Sequence, residues 1–131
     1  LPQGASRYGS STPGCAGALA IGTSAIPQVG NAAFGFTCVG APANSTGLLG
    51  ISAGALSSPI LVSGAAVWVH PLTLLALPAT SDGSGFAPFP LPIPAAASLA
   101  GAQVFAQFAW LDGCAPGGVS ASNAIQVVVQ P

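Results

Sequence analysis

In a chain of 131 residues only Arg7, Asp82 and Asp112 are ionised, 2% of the total, where an ordinary domain carries about 25%. A single arginine excludes a phosphate-binding surface and with it a nucleic-acid partner, and it excludes a basic helix lying on a membrane. The length makes one domain that buries roughly two thirds of its unfolded surface, but a mean hydropathy of +0.74 with so little charge leaves a lone molecule poorly dispersed.

Something uncharged must therefore cover the surface: a neighbouring copy, a glycan, or a skin of Ser, Thr, Asn and Gln. Stacked copies account for most of it. Taken in order, residues 1–14 are rich in Gly, Ser, Thr and Pro around Arg7 and Tyr8 and read as an extended arm able to lie on a neighbour, with the domain proper over 15–131. A start at Leu1 with no Met and no basic leader reads as a mature exported product whose signal has been removed, or as a trimmed chain. Ala18 to Ile21 is a small-residue strand, and Pro27-Gln28-Val29-Gly30-Asn31 is a turn. Phe34, Phe36 and Cys38 then project together, giving a strand with two core aromatics. The loop from Gly40 to Thr46 contains Asn44-Ser45-Thr46, a glycosylation-type sequon, although an unmodified loop asparagine is the default.

Leu48, Leu49 and Ile51 make the next strand, followed by Ile60 to Val62, Ala65 to Val69 and Thr73 to Leu77. Ile60 to Leu77 holds no charge, yet His70-Pro71, Ser63 and Gly64 interrupt it, so it reads as a broken pair of strands and not as a membrane span. Ser81-Asp82-Gly83-Ser84-Gly85 is a turn. Beyond it Phe89, Leu91 and Ile93 alternate with Pro88, Pro90, Pro92 and Pro94, which cannot donate ladder hydrogen bonds, so this stretch is an edge strand or an extended crossing. Ala95 to Leu99 is a short helical turn.

Leu99 to Gln130 is the stretch the others are laid against. Ala102, Val104, Ala106, Phe108 and Trp110 fall on one face, and Gln103, Phe105, Gln107 and Ala109 on the other, the period of a half-buried strand. The turn from Asp112 to Gly118 returns the chain with Ile125, Val127 and Val129 facing one way. No amphipathic helix has start and stop signals. About seven to eight short strands with turn signals between them predict an all-β, single-domain, antiparallel β-sandwich, Ig-like or jelly-roll-like. With 18 Gly and 13 Pro the composition nears low complexity, but the aromatic alternation favours a packed domain.

Two sets of residues invite a chemical reading. Gly50-Ile51-Ser52-Ala53-Gly54 matches the G-x-S-x-G elbow that exposes a nucleophilic serine, but no helix follows, and His70 precedes Asp82 and Asp112, the reverse of the hydrolase order. His70 reads as a hydrogen-bonded structural histidine. Asp82 and Asp112 sit in Asp-Gly turns where a carboxylate caps its own backbone, and no aromatic-rich groove accompanies them to hold a sugar for a carboxylate pair. The expectation is no enzyme, with no catalytic, cofactor-binding or metal-binding residue.

The three cysteines lack metal-type spacing and fit one disulfide plus one free thiol, which places the chain in an oxidising, extracellular or cell-surface location. Cys15 and Cys114 both lie in Gly/Pro-rich loops and are the preferred pair. Cys38 ends a core-facing row and reads as a small buried hydrophobe, although Cys15 with Cys38 is a rival pairing, since adjacent strand ends meet in a sandwich.

Leu91-Pro92-Ile93-Pro94, Leu99-Ala100-Gly101, Gln103-Val104-Phe105-Ala106-Gln107, Leu111-Asp112 and Ser120-Ala121-Ser122-Asn123-Ala124 form a run that resembles a C-terminal module of secreted, uncharacterised proteins of planctomycetes and other environmental bacteria. Tyr8-Gly9, Gly14-Cys15-Ala16-Gly17 and Pro27-Gln28-Val29-Gly30-Asn31 are similar too. The resemblance implies an extracellular β module with no catalytic residues to carry over. It also implies a cysteine in the strand that here reads Ala65-Ala66-Val67-Trp68, a partner for Cys15 that this chain lacks.

Together these readings predict a secreted structural protein whose copies self-associate into a filament, sheath or surface layer through strand edges, with residues 1–14 or 126–131 crossing between copies. The alternative is an extracellular carbohydrate-binding or adhesive module presenting Trp68, Trp110 or Tyr8.

Overall fold

Short apolar runs of period two, punctuated by Gly and Pro, leave strands as the only extended elements the backbone can build. The computed structural model describes residues 1–131. Its ten strands are β1 (Ala5–Tyr8), β2 (Ala20–Thr23), β3 (Gly35–Val39), β4 (Thr46–Ser52), β5 (Ala55–Val62), β6 (Ala65–Val69), β7 (Leu75–Thr80), β8 (Ala87–Pro90), β9 (Gln103–Leu111) and β10 (Val119–Val128). Single 3-10 turns span Pro71–Thr73 and Ala97–Leu99. No helix is long and apolar enough to cross a membrane.

Five strands pair antiparallel in the order β1-β10-β9-β4-β7, three in the order β2-β3-β8, and β5 pairs with β6 as a separate ribbon. The two larger sheets face each other across the core. Leu49, Ala106, Phe108, Trp110, Ile125 and Val127 of the larger sheet meet Ile21, Phe36, Cys38 and Ala87 of the smaller. Phe108 stacks on Trp110 at 5.9 Å and Phe34 meets Phe36 edge-on at 5.3 Å. The chain is thus an all-β antiparallel sandwich, as its periodicity predicts. The ten strands exceed the expected seven to eight in part because β1 lies in the segment read as an arm; the ribbon strands expected over Ile60 to Val69 are present, with β5 beginning earlier, at Ala55.

That segment is a correction. Residues 1–14 do not extend away from the domain as an arm: β1 pairs with β10 from Ala5 opposite Val127 to Tyr8 opposite Ala124, and Thr12 exchanges backbone bonds of 2.8 and 3.0 Å with Ala121. Four residues are too few to carry a period, yet their backbone completes the β10 edge. The C-terminal residues are held as well, for Gln130 donates to Pro27 O at 2.7 Å and accepts from Val29 N at 3.0 Å. Both termini are thus hydrogen-bonded within the chain.

The proline-rich stretch behaves as its chemistry requires. β8 lies at an edge and pairs only with β3. Beyond it Leu91 N and Ile93 N donate to Phe34 O and Asn31 O at 3.0 and 3.1 Å, while the alternating prolines point their missing donors away.

In β10 the register slips between Ala121 and Ala124, so that Ser122 and Asn123 together oppose Phe108. A bulge of this kind re-aims a side chain. Asn123 Oδ1 accepts from Ile21 N at 3.0 Å, and Arg7 Nε donates to Ile21 O at 2.6 Å. Side chains of the larger sheet thereby close the edge strand β2 of the smaller one.

Candidate functional site

β4 and β7 are antiparallel partners, and the chain between them makes the excursion β5–β6, which folds over the outer face of the larger sheet. Its neck is the G-x-S-x-G stretch. Ser52 is 3% exposed; its hydroxyl donates to the backbone oxygen of His70 at 2.9 Å, accepts from Gly54 N at 3.2 Å, and lies 2.6 Å from Thr73 Oγ1. With its own proton on His70 O, Ser52 takes a proton from Thr73, whose oxygen accepts from Ala53 N at 3.3 Å. The His70 ring is turned elsewhere, its Nδ1 accepting from Leu72 N at 3.2 Å. Serine and imidazole are not paired, and the motif is a clasp that closes the excursion.

The free edge of β6 is held by side chains in place of a neighbouring strand. Gln107, buried at the centre of β9, donates through Nε2 to Ala66 O and Ser122 O, both at 2.8 Å, and accepts through Oε1 from Trp68 N at 2.9 Å. Thr12 Oγ1 accepts from Ala66 N at 2.9 Å, and the Tyr8 hydroxyl donates to Trp68 O at 3.0 Å. The N–H and C=O of both Ala66 and Trp68 are therefore satisfied by three side chains, which is what allows a strand edge to be covered without a ladder. The Trp68 indole donates to Ser10 O at 3.0 Å and lies over Gly9, where a Cβ would stand 2.6 Å from the ring. Burial pushes the Tyr8 phenol up to about 12.

Between ribbon and sheet lies a cavity of about 310 Å³. Leu48, Gly50, Gln107, Ala109, Val119 and Ala121 form its floor; Ile60, Val62, Ala65, Val67 and Val69 form its roof; Pro71 and Leu74 close the neck end. A shallower hollow of about 230 Å³ continues past Leu48 and Ala109 to Trp110 and Leu111. The rim is apolar and open: Val62 is 54% exposed, Ile60 43% and Leu74 40%, with Leu61 at 71% and Leu75 at 58% beside them.

The remaining candidate residues hold other turns. Cys15 and Cys114 are bonded, and Cys38 is free and buried, so the rival pairing of Cys15 with Cys38 is not formed. Cys38 and Trp110 are both in the core, where the Trp110 indole nitrogen has no hydrogen-bond partner; burial pushes the Cys38 thiol up to about 11. Asp112 is buried between the halves of the disulfide, accepting from Cys15 N at 3.2 Å and Cys114 N at 3.1 Å. Sulfur and carboxylate donors of Cys15, Cys114 and Asp112 lie within 4.8 Å of one another, but the two sulfurs are committed to each other. Asp82 accepts from Ser84 Oγ, Ser84 N and Phe86 N, bonds that hold its carboxyl below the usual carboxylate range. Asn44 is exposed on a turn with φ of 49°, its N–H on Asp82 O at 2.9 Å. Trp110 is buried at 1%, so that of the three aromatics expected to be presented only Tyr8 and Trp68 are half-exposed.

Comparison with known protein families, with curated proteins and with solved structures finds no match for this chain. Gln107 and Thr12 are the site residues that motif reasoning passes over. The available signal is an amide in the middle of a strand that is otherwise apolar from Val104 to Leu111, which has no reason to face a second apolar layer unless that layer brings backbone groups to it.

Proposed function

We propose that the chain is an extracellular structural protein whose copies associate through the apolar face around the β5–β6 ribbon. The observation that carries this reading is the open rim of Leu48, Ile60, Val62 and Leu74, continued by Leu61, Leu72 and Leu75, all exposed. Apolar area of this extent on one side of a domain is a contact surface. A stable contact takes about 800 Å² per partner, about an eighth of the 6022 Å² surface of this chain. None of the three charged residues lines the cavity, so two copies meet there without desolvating an ion.

β7 is an edge of the larger sheet and β5 an edge of the ribbon, and each offers unpaired backbone groups for strand addition. Pro78 lies in β7 and confines such pairing to its first half. The disulfide supports an oxidising location, and extracellular placement follows from the same reading. A carbohydrate-binding or adhesive role is the weaker alternative, since the Tyr8 hydroxyl and the Trp68 indole N–H already bond within the chain.

Sedimentation of the full chain at neutral pH, with electron microscopy of the same sample, tests the proposal. Concentration-dependent growth into regular fibres or sheets is expected, with dispersal by Leu61→Asn combined with Leu75→Asn. A chain that stays single at millimolar concentration overturns it.

A further inference from the structure

We propose that the cavity beneath the ribbon is a binding site for one small, uncharged, hydrocarbon-like molecule, a function separate from association of copies. Its volume of about 310 Å³ stands against the ~150 Å³ apolar cavity that takes up benzene and falls at the lower end of the roughly 300–1,000 Å³ of ligand pockets. One aromatic or alicyclic molecule of one to three rings fits.

The chemistry of the guest follows from the walls. Ten of the thirteen lining residues are hydrophobic. The only hydrogen-bonding side chain among them is Gln107, whose amide is fully engaged with Ala66, Trp68 and Ser122. A water molecule needs two to four polar partners and finds none free. A guest with a polar group gives up its water bonds for nothing in return. An anionic headgroup finds no cation, for Arg7 is the sole lysine or arginine and has its Nε on Ile21 O, and neither it nor His70 lines the cavity.

The space is built into the fold and is not slack that the ribbon takes up by settling. The floor is low because Gly50, Ala109 and Ala121 stand where larger residues would fill it. The roof is kept at its height by the bonds from Gln107, Thr12 and Tyr8 to β6 and by the Ser52–Thr73 clasp at the neck. Along β5 no such bonds exist, and Ile60 and Val62 form a half-exposed mouth.

The test is a fluorescence titration of the full, oxidised chain with the neutral probe N-phenylnaphthylamine, run at a dilution where sedimentation shows single chains. Saturation at one probe per chain is expected. Ala109→Leu, which raises the floor, should weaken binding at least tenfold, and Val39→Ser, on the exposed side of the smaller sheet and away from the cavity, should not weaken it. Should Ala109→Leu lose its far-ultraviolet circular dichroism, Ala121→Val takes its place. The anionic probe anilinonaphthalene sulfonate should bind at least tenfold more weakly than the neutral one.

Equal binding by wild type and the floor variants, or no saturable binding, overturns the site. Binding that appears only in assembled material places the guest between copies and overturns it as well. Flotation of the chain with neutral phosphatidylcholine vesicles assigns the cavity to a lipid surface and overturns a free guest. Binding by chains that never assemble upholds the site while removing the structural role proposed above.

Discussion

The two faces of the β9–β10 hairpin are covered in opposite ways. On the inner face Phe108, Trp110, Ile125 and Val127 interlock with the smaller sheet, and contact is made by volume. On the outer face the floor is Ala109, Ala121 and Gln107, and the covering ribbon is suspended from hydrogen bonds with about 310 Å³ left beneath it. One strand pair thus carries a packed core and a held-open chamber. Burial and close packing are separate achievements: the first needs only that backbone groups find partners, the second needs side chains that fill the space.

Breaking the inner face should cost most. Trp110→Ala removes a side chain stacked on Phe108, and large aromatic deletions of this kind destabilise by about 3–5 kcal/mol. Urea unfolding should show the loss as a lower midpoint with an unchanged slope. Gln107→Leu attacks the outer face and should cost less, about 2–3 kcal/mol, because Ala66 O, Trp68 N and Ser122 O lose their partners at once. Its signature is local: hydrogen exchange at the β6 amides should rise while that of β9 stays slow. Uniform acceleration across both faces would mean that the ribbon and the sandwich unfold as one unit. Ser52→Ala sharpens the contrast further, removing the clasp at about 1–2 kcal/mol and raising exchange at Gly54 and His70 first.

The inner face was legible in the residues themselves. Phe34, Phe36 and Cys38 share a face, as do Ala106, Phe108 and Trp110, because period two is written locally; the prolines from Pro88 to Pro94 specify an edge by what they lack. The outer face was not legible, since the same period assigns Gln107 to a wetted side. Only the fold of a distant segment, inserted between β4 and β7, brings Ala66 and Trp68 over it. The sequence Gly50 to Gly54 shows the same limit: its residue types announce a tight turn, but what the turn closes depends on Thr73 and His70 arriving from the far end of the ribbon. β1 escaped notice for a third reason. A four-residue strand on an edge takes its structure from the partner it pairs with and not from any pattern of its own.

The smallest effect is also the one that separates the two faces by pH. Tyr8 holds the ribbon as a donor to Trp68 O, and its folded pKa is raised from an ordinary value near 10 to about 12 by burial. A raised value means that the folded state keeps its proton more tightly than the unfolded chain. The Tyr8 contribution is therefore complete below pH 10 and is lost as pH climbs toward 12. Cys38 follows the same sign on the inner face, complete below its ordinary value of 9.0 and lost as pH rises through about 11. Since Tyr8 is only partly buried, solvent screening keeps its share modest. In Cys38→Ala the remaining alkaline loss should begin near pH 10 and be seen first as faster exchange in β6. In Tyr8→Phe that ribbon-specific step should vanish while the loss tied to Cys38 remains. An alkaline transition that is identical in wild type and Tyr8→Phe would show that the ribbon is held by Gln107 and Thr12 alone.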